Sequence, residues 1–314
     1  MTETAKAVIL HLGLIAVLFA LQFVLPAYHH GNMARVMVLA TYAMGYNLLF
    51  GYTGLLSLGH AMFFAAGMYG MALTVRHLGW TPPPALLAGL LSGAVLSALV
   101  GALALRTVGV AFMIVTLMFS QAAYLTILYF TTWTRGEEGF VLQQVQRVFW
   151  GIDPSDPTTR YFLALLVFAT CLMLSLWLVR SGFGKVLIAI RENEDRAQML
   201  GYDIFAHKLG AVVISGTMSA TAGAVYALLF GYAGASFAGV QYSILPLLWV
   251  LLGGAGTLIG PFIGALFTFY LIDITSGYTS AYMAVVGAVL IALTLFARQG
   301  IGGEIRARVW RGLP

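Results

Sequence analysis

The stretch Gly51-Tyr-Thr-Gly-Leu-Leu-Ser-Leu-Gly-His60 interrupts a long apolar region in the first part of the chain. A second stretch, Gly253-Gly-Ala-Gly-Thr-Leu-Ile-Gly-Pro261, interrupts another apolar region nearer the C-terminus. Glycine and proline at this density predict broken helices. Irregular backbone inside a membrane is tolerated only where protein or water covers it, and such breaks are common at transport sites. The two glycine-rich stretches therefore predict a helical membrane protein with a solute pathway beside its broken helices.

The composition of the 314-residue chain agrees with a membrane protein. Hydrophobic residues make up 61% of the chain and charged residues 9%, and the mean hydropathy is +0.92. Soluble domains are about half apolar and about a quarter charged, so a soluble globular protein and a disordered chain are both excluded. Cys171 is the single cysteine, which excludes an intramolecular disulfide and a zinc site built on cysteines. We expect no metal site and no cofactor.

Motifs for enzyme chemistry are absent from the sequence. Gly182-Phe-Gly-Lys185 resembles part of a phosphate-binding loop, but residues 179 and 186 are both valine, so the full motif fails. No pair of carboxylates shares a buried segment. We therefore expect no catalytic residues and a protein that is not an enzyme.

The apolar segments predict an all-α, polytopic helical membrane protein, a single domain over residues 1–314 with about ten transmembrane helices, some of them broken or re-entrant. The segments are 5–27, 36–50, 55–75, 85–105, 108–130, 161–179, 209–230, 242–253, 258–274 and 281–296. Crossing a bilayer takes about 20 apolar residues. Segment 242–253 is shorter than that, so it either spans as a short helix or re-enters.

The positive charges predict the orientation of the chain. Most of the 16 lysines and arginines lie on the side of the two termini and of segment 180–208, and fewer lie on the side of segment 131–160. Cytoplasmic loops are enriched in Lys and Arg. We therefore expect both termini, a 180–208 coupling loop and a 297–314 tail in the cytoplasm, and a periplasmic loop over 131–160. Such an apolar chain contacts membrane lipid and is a poor candidate for nucleic-acid binding.

The candidate pathway residues lie in or directly after the two glycine-rich stretches. They are Ser57, Gly59, His60, Phe63, Phe64, Gly254, Gly256 and Thr257. His60 either packs by donating to a backbone carbonyl or lines the pathway. Asp273, the one acid within an apolar segment, lies either near the headgroups at a helix end or in the pathway. Because an ionised group inside the bilayer is costly, a single such acid argues against an ion-coupled pump.

Two further patterns concern the arrangement of the helices. Residues 51–54 (Gly-Tyr-Thr-Gly) and 231–234 (Gly-Tyr-Ala-Gly) match at an offset of 180 residues, and Gly59 then falls on Gly239. These matches are weak evidence for an internal repeat. A row of small residues at four-residue spacing predicts close helix packing in lipid. The row consists of Gly89, Gly93, Ser97 and Gly101.

Segment 186–201 predicts one short amphipathic helix outside the bilayer. Its apolar side carries Leu187, Ile190, Ala197 and Gly201, and its polar side carries Arg191, Glu192, Glu194, Asp195 and Arg196. The pattern fits either a solvated helix at the membrane surface or a docking helix for a soluble cytoplasmic partner. A transport protein without energy-coupling chemistry of its own would need such a partner.

Three blocks of sequence carry a resemblance to a known family. They are Gly54-Leu-Leu-Ser-Leu-Gly-His-Ala-Met-Phe-Phe-Ala-Ala-Gly67, Ala189-Ile-Arg-Glu-Asn-Glu-Asp-Arg-Ala-Gln-Met-Leu-Gly201 and Gly253-Gly-Ala-Gly-Thr-Leu-Ile-Gly-Pro-Phe-Ile-Gly-Ala265. Together and in this order they resemble the LivM-type permease subunit of the branched-chain amino-acid (hydrophobic amino-acid uptake) ABC importers, over nearly the whole chain. The second block resembles the coupling helix of that family, with Asp195 and Arg196 in place of small residues. The resemblance implies that the residues meeting the ATPase are Arg191, Glu192, Glu194, Arg196, Ala197 and Gly201.

The resemblance implies an importer subunit in the bacterial or archaeal cytoplasmic (inner) membrane. Its solutes would be branched-chain or other amino acids delivered by a periplasmic solute-binding protein. Its other partners would be a LivH-type permease and two cytoplasmic ATPase subunits. Relatives in the family that carry urea, short amides or aromatic acids are the first alternative, and a stand-alone secondary transporter is the second. The sequence does not name the solute, because selectivity at the binding protein is set in another chain.

Overall fold

The structure, a computed structural model, describes residues 3–296 and 299–309. Its helices are α1 (Glu3–Val24), α2 (Ala27–Asn47), α3 (His60–Leu78), α4 (Pro82–Ala104), α5 (Val110–Tyr129), α6 (Thr131–Thr134), α7 (Gln144–Arg147), α8 (Pro157–Arg180), α9 (Gly182–Glu192), α10 (Glu194–Met199), α11 (Ile204–Phe230), α12 (Val240–Gly253), α13 (Gly260–Ser276), α14 (Tyr282–Phe296) and α15 (Gly300–Val309). Two short strands, β1 (Phe140–Val141) and β2 (Tyr232–Ala233), pair antiparallel. Residues 53–59 precede α3 and residues 231–239 precede α12, and we name them the first break and the second break. The all-α class is confirmed.

Six of the described helices are long and apolar enough to cross a membrane, and three shorter ones are apolar. The six are Lys6–Val24, Tyr28–Tyr52, Pro82–Ala104, Val110–Tyr129, Pro157–Arg180 and Ile204–Phe230. The chain is therefore a multi-pass membrane protein, while the count of about ten spans stays a prediction. The short segment 242–253 belongs to α12, which has 14 residues. At 1.5 Å per residue α12 is only about 20 Å long, so it does not span a bilayer by itself.

The second span begins at Ala27, although its apolar pattern predicts a start at residue 36. Polar side chains in its first turns find partners on α13. His29 Nδ1 lies 3.1 Å from the Tyr270 hydroxyl. A π-helical turn, Leu48–Tyr52, continues the helix to the first break. The most apolar window of this span is 89% buried, against 17% for α5, so α2 is central and its polar turns are covered by protein.

The two long polar loops lie at opposite ends of the bundle. The 131–160 loop precedes α8 and reaches the last turn of α11, where Arg147 Nη1 donates to the Leu228 carbonyl oxygen at 3.2 Å. Helices α9 and α10 follow α8 and reach the first turns of α11, where Glu194 Oε2 lies 2.5 Å from Lys208 Nζ. We name these the Arg147 end and the Arg191 end. Their assignment to the periplasm and the cytoplasm stays a prediction.

Helices α3 and α12 begin inside the bundle rather than at one of its ends. His60 starts α3, and its Nε2 lies 2.8 Å from Ser215 Oγ. Ser215 is about 16 Å along α11, whose total length is about 40 Å at 1.5 Å per residue. The two helix starts also meet each other, because the amide of Ala61 donates to Ser243 Oγ at 3.0 Å. Two helix N-termini therefore lie together near the middle of the bundle.

The sequence match at an offset of 180 residues corresponds to two units that run in opposite directions. In the first unit α2 runs to the Arg191 end, the first break follows, and α3 returns to the Arg147 end. In the second unit α11 runs to the Arg147 end, the second break follows, and α12 returns to the Arg191 end. Helices α2 and α11 are antiparallel, since Ser215 Oγ donates to the Gly45 carbonyl at 2.6 Å and Arg35 lies 5.0 Å from the Phe230 ring centroid. Such inverted repeats are common in membrane transporters.

The row of small residues on α4 packs closely against α3 and α11. A Cβ atom at Gly93 would lie 2.0 Å from the Cβ of Ala220, and one at Gly89 would lie 2.7 Å from the carbonyl oxygen of Gly67. The opposite face of α4 exposes large apolar side chains, as a lipid-facing surface requires. They are Leu87, Leu91, Val95 and Leu99. Small residues thus let the α4 and α11 backbones approach, because lipid supplies no hydrophobic force between helices.

Gly93→Ala should lower the apparent melting temperature of the purified protein in detergent. The added methyl group would push α4 away from α11, and overpacking of this kind costs about 1–3 kcal/mol. Gly13→Ala is the matched control, because within the described part of the chain a Cβ at that position would meet no heavy atom within 4 Å apart from its chain neighbours and the backbone of its own helix. Alanine is also the better helix former there. Equal melting temperatures for Gly93→Ala and the unchanged protein would contradict this packing.

Candidate functional site

The two glycine-rich stretches meet at the Arg191 end of the bundle, and Asn47 joins them. Asn47 Nδ2 donates to the carbonyl oxygen of Thr257 at 2.9 Å, and the amide of Gly256 donates to Asn47 Oδ1 at 3.0 Å. Asn47 is 2% exposed, so both ends of its amide group are satisfied inside the protein. Sequence reasoning missed Asn47. The signal was an asparagine in an apolar span one helical turn before Gly51.

Arg191 reaches the same junction from the coupling loop. Its Nη1 donates to the carbonyl oxygen of Gly51, which belongs to the π-helical turn at the end of the α2 span. The side-chain stem passes Gly54, where a Cβ would lie 3.1 Å from Arg191 Cγ. A Cβ at Gly256 would lie 3.1 Å from Arg191 Nη1. A cation at the carbonyl end of a helix is favourable, and here it also ties the coupling loop to both glycine-rich stretches.

The candidate residues of the first glycine-rich stretch are buried within the chain. Ser57, His60, Phe63 and Phe64 are at most 2% exposed. His60 contacts the hydroxyl of Ser215 rather than a backbone carbonyl, so the expected packing partner is corrected. Ring geometry also brings His60 against Tyr46, with centroids 4.7 Å apart. Among the described residues His60 Nδ1 has no hydrogen-bond partner, which leaves one polar atom available at the middle of the bundle.

The predicted pathway residues separate into two levels. Ser57, Gly59 and His60 lie near the middle of the bundle, where the hydroxyl of Ser57 accepts from the amide of Gly59 at 3.2 Å. Gly256 and Thr257 lie at the Arg191 end with Asn47. Gly254 faces α15, since a Cβ there would lie 2.8 Å from the amide nitrogen of Gly303. The first break connects the two levels.

The coupling segment forms two helices, so the prediction of one helix over 186–201 is wrong. Asn193 ends α9 and begins α10 with an extended backbone, at φ −161°. Its Oδ1 accepts from the amide of Arg196 at 2.8 Å. Asparagine is a preferred N-cap because it satisfies an amide that has no partner within the helix. The cap therefore turns the chain between two short helices.

The two faces of the coupling loop have different surroundings. Ala197 is 1% exposed and packs with the apolar side chains Val186, Ile190 and Ile204. The charged candidates Glu192, Glu194 and Arg196 are exposed. Met199 and Leu200 are also exposed, at 86% and 70%. Gly201 has φ +88°, a conformation that glycine adopts without strain, and it ends α10 after this apolar pair.

A polar cavity of about 660 Å³ lies between the coupling loop, the first break and the α4–α5 turn. Its lining includes Gly54, Thr107, Arg191, Glu194 and Lys208. Lys208 and Glu194 form an ion pair at its edge. The cavity gives the Arg191 junction a water-accessible neighbour.

Asp273 lies in the last turn of α13, at the Arg147 end. Its carboxylate accepts from the hydroxyl of Tyr28 at 3.1 and 3.2 Å, and this contact is exposed. The position agrees with the helix-end alternative. Within residues 3–296 and 299–309 no group of three or more His, Cys, Asp or Glu side chains could hold a metal ion.

Comparison with known proteins gives a consistent result. The family described as "Branched-chain amino acid transport system / permease component" matches residues 31–296. The high-affinity branched-chain amino acid transport system permease protein LivM of Salmonella typhimurium is 27% identical, over 95% of this chain and 76% of that protein. The protein of the same name from Escherichia coli is 27% identical, over 84% of this chain and 68% of that protein.

A relative that matches a shorter part of the chain has a different name. The autoinducer 2 import system permease protein LsrC of Klebsiella pneumoniae is 29% identical, over 43% of this chain and 38% of that protein. No solved structure matches the chain. From the family match over most of its length, the chain belongs to the branched-chain amino acid transport system permease family.

Proposed function

We propose that this chain is the membrane-spanning permease subunit of an ATP-driven ABC importer for branched-chain or other amino acids, delivered by a periplasmic binding protein. The observation that carries the proposal is the family match over residues 31–296. Two relatives named for branched-chain amino acid transport support it. The chain would supply the passage through the membrane, and separate subunits would hydrolyse ATP.

The solute is the finer part of the proposal. Amino acids come first because both longer alignments are to LivM proteins. Urea, short amides or aromatic acids are the second candidates within the family. The partial similarity to a permease named for autoinducer 2 import supports these second candidates, because it indicates that related chains serve solutes of different chemistry.

The proposed assembly contains three kinds of partner. A LivH-type permease would pair with this chain, two cytoplasmic ATPase subunits would dock at the Arg191 end, and the solute-binding protein would dock at the Arg147 end. The chain would lie in a bacterial or archaeal inner membrane as one domain of about ten spans, with 131–160 in the periplasm. Both termini and segment 180–208 would be cytoplasmic. The 297–314 tail includes residues 297–298 and 310–314, which lie outside the described residues.

The position of Asp273 favours the ATP-driven importer over the stand-alone secondary transporter. An ion-coupled carrier needs a titrating or cation-binding group along its pathway. Asp273 instead lies at a helix end, with an exposed tyrosine hydroxyl as its partner.

Asp273→Asn should keep most of the ATP-dependent uptake, because the asparagine amide oxygen can still accept from Tyr28. The measurement is the initial rate of leucine uptake into proteoliposomes that contain the whole complex, with ATP inside and ion gradients imposed or collapsed. Vanadate should abolish the uptake. Uptake that needs no ATP, follows an ion gradient and disappears in Asp273→Asn would instead establish the secondary transporter.

The exposed face of the coupling loop is the proposed ATPase contact. Met199 and Leu200 expose large apolar side chains in a charged loop at the Arg191 end. Apolar side chains at the centre of an interface carry much of its binding energy. The charged residues of α9 and α10 would surround this pair. Ala197 would act indirectly, by holding α10 against α9 and α11.

Leu200→Asp should weaken ATPase binding, since loss of a central contact costs about 2 kcal/mol, roughly thirtyfold in affinity. The measurement is the amount of ATPase that copurifies with the permease after washing, together with uptake. Gln198→Asp is the matched control, because it adds the same charge two residues away and removes no apolar group. If both variants retain the ATPase equally well, the docking face lies elsewhere.

The first glycine-rich stretch is the proposed border of the solute pathway. Ser57, His60 and Phe63 lie where two helix N-termini meet near the middle of the bundle, which is the usual position of a transport site. Gly256 and Thr257 would border the solute pathway at the Arg191 end. Ser57, His60 and Phe63 are buried in this structure, so solute would reach them only after a conformational change.

A cysteine at Ser57, in a Cys171→Ser background, should react with a small water-soluble thiol reagent only during transport. Ser57 is 1% exposed, so labelling at rest should be slow and should accelerate when binding protein, solute and ATP are present. Ser219→Cys is the matched control, because Ser219 is 0% exposed and lies within α11, where its hydroxyl donates to the carbonyl oxygen of Ser215 at 2.9 Å. Equal inertness of both cysteines in every state would assign residue 57 to packing.

A further inference from the structure

Arg147 is a buried cation at the carbonyl end of α11. It is 9% exposed. Its Nη1 donates to the carbonyl oxygens of Leu228 and Leu229, at 3.2 and 3.3 Å, and its Nη2 donates to Ser155 Oγ at 3.0 Å. The last carbonyls of a helix have no partner within the helix, and they carry the negative end of its dipole. Arg147 therefore fastens the 131–160 loop to the last turn of α11.

Gly231 is shaped to receive this guanidinium. It follows α11 with φ +69°, and a Cβ there would lie 2.8 Å from Arg147 Cζ. Backbone hydrogen bonds also attach the 131–160 loop at Gly231. The amide of Leu142 donates to the Gly231 carbonyl at 2.8 Å, and β1 pairs with β2. Gly231 is also the first residue of the second break. The loop is thus attached where the chain turns inward toward α12.

Arg191 makes the corresponding contact at the other end of the bundle. It donates to the carbonyl of Gly51 at the end of the α2 span, directly before the first break and α3. Each of the two inverted units therefore has an arginine from an extramembrane loop on the helix end that precedes its break. Residues 147 and 191 belong to neither unit, so this similarity does not follow from the repeat itself.

Burying the Arg147 guanidinium costs free energy, because the charged group loses its contact with water. Burial lowers the pKa of the guanidinium from its ordinary value, and the Asp153 carboxylate partly opposes the shift. A buried cation is retained at such a cost when its hydrogen bonds are specific, and only arginine presents several donors in one fixed plane. Arg160 provides the contrast. It lies over the Phe230 ring, but it hydrogen-bonds to Pro154 and Ser155 of its own loop.

We propose that Arg147 is a positioning residue that transmits docking of the solute-binding protein on the 131–160 loop to the second break and the start of α12. Arg191 would do the same for the ATPase, through the first break and α3. The two signals would then converge where Ala61 meets Ser243. This inference rests on the proposed function, because it takes the docking partner from it.

The main experiment compares ATP hydrolysis by the reconstituted complex with and without loaded binding protein. Arg147→Lys keeps the charge but replaces the two guanidinium nitrogens with one ammonium nitrogen, which does not reproduce their planar donor geometry, and Gly231→Ala displaces the guanidinium. Both variants should keep basal hydrolysis, while stimulation by the binding protein falls about fivefold or more, as expected when coupling between two sites is lost. Arg160→Lys is the matched control and should be stimulated normally.

Hydrogen exchange of the permease alone in lipid tests the inference separately from any transport function. In Arg147→Lys, amides of residues 232–242 should exchange faster than in Arg160→Lys. Faster exchange confined to residues 131–160 would overturn the inference.

Normal stimulation of ATP hydrolysis in both Arg147→Lys and Gly231→Ala, or an equal loss of basal and stimulated hydrolysis, would also overturn the inference and leave Arg147 as a helix cap. If loaded binding protein does not stimulate ATP hydrolysis by the complex without substitutions, the proposed function is refuted. The hydrogen-exchange result would then decide the role of Arg147.

Discussion

The structure depends on one constraint, which is that backbone groups freed at a break inside a membrane must be covered and hydrogen-bonded by protein. The two breaks free such groups near the middle of the bundle. Serine side chains from distant helices satisfy some of them, as Ser243 does for the start of α3. Asn47 satisfies groups at the turn between α12 and α13. The central position of α2 and the close packing of α4 follow from the need to seal these segments.

Sealing the breaks with polar contacts also makes them movable. A purely apolar seal would be difficult to open for a polar solute, whereas a hydrogen bond exchanged for one to water costs little net free energy. The seal extends to both surfaces through Arg147 and Arg191, which hold the helix ends that precede the breaks. The contacts that keep the pathway closed are therefore continuous with the loops that partners would touch.

The sequence predicted the helical membrane class and the location of one break, because apolar length and glycine density are local properties. The coupling role predicted for Arg191 and segment 180–208 stays a prediction. Sequence reasoning failed where long-range contacts decide the outcome. The first turns of α2 lie outside the predicted span of 36–50, and their polar side chains find partners on α13, such as Tyr270 for His29. Asn47 and Arg147 carried no local sign of their partners, and the cap that Asn193 forms was not predicted.

The distance along the chain between the two sides of the seal has a consequence for biosynthesis. Asn47 and Thr257 are 210 residues apart, and His60 and Ser215 are 155 apart. A ribosome adds about 5–20 residues per second, so α2 and the first break wait roughly 10–40 s for the residues that complete their seal. During that time the break cannot face lipid acyl chains without unpaired backbone groups. The translocon or an insertase must therefore shelter the N-terminal half, and a chain that terminates before α11 should be a substrate for membrane quality control.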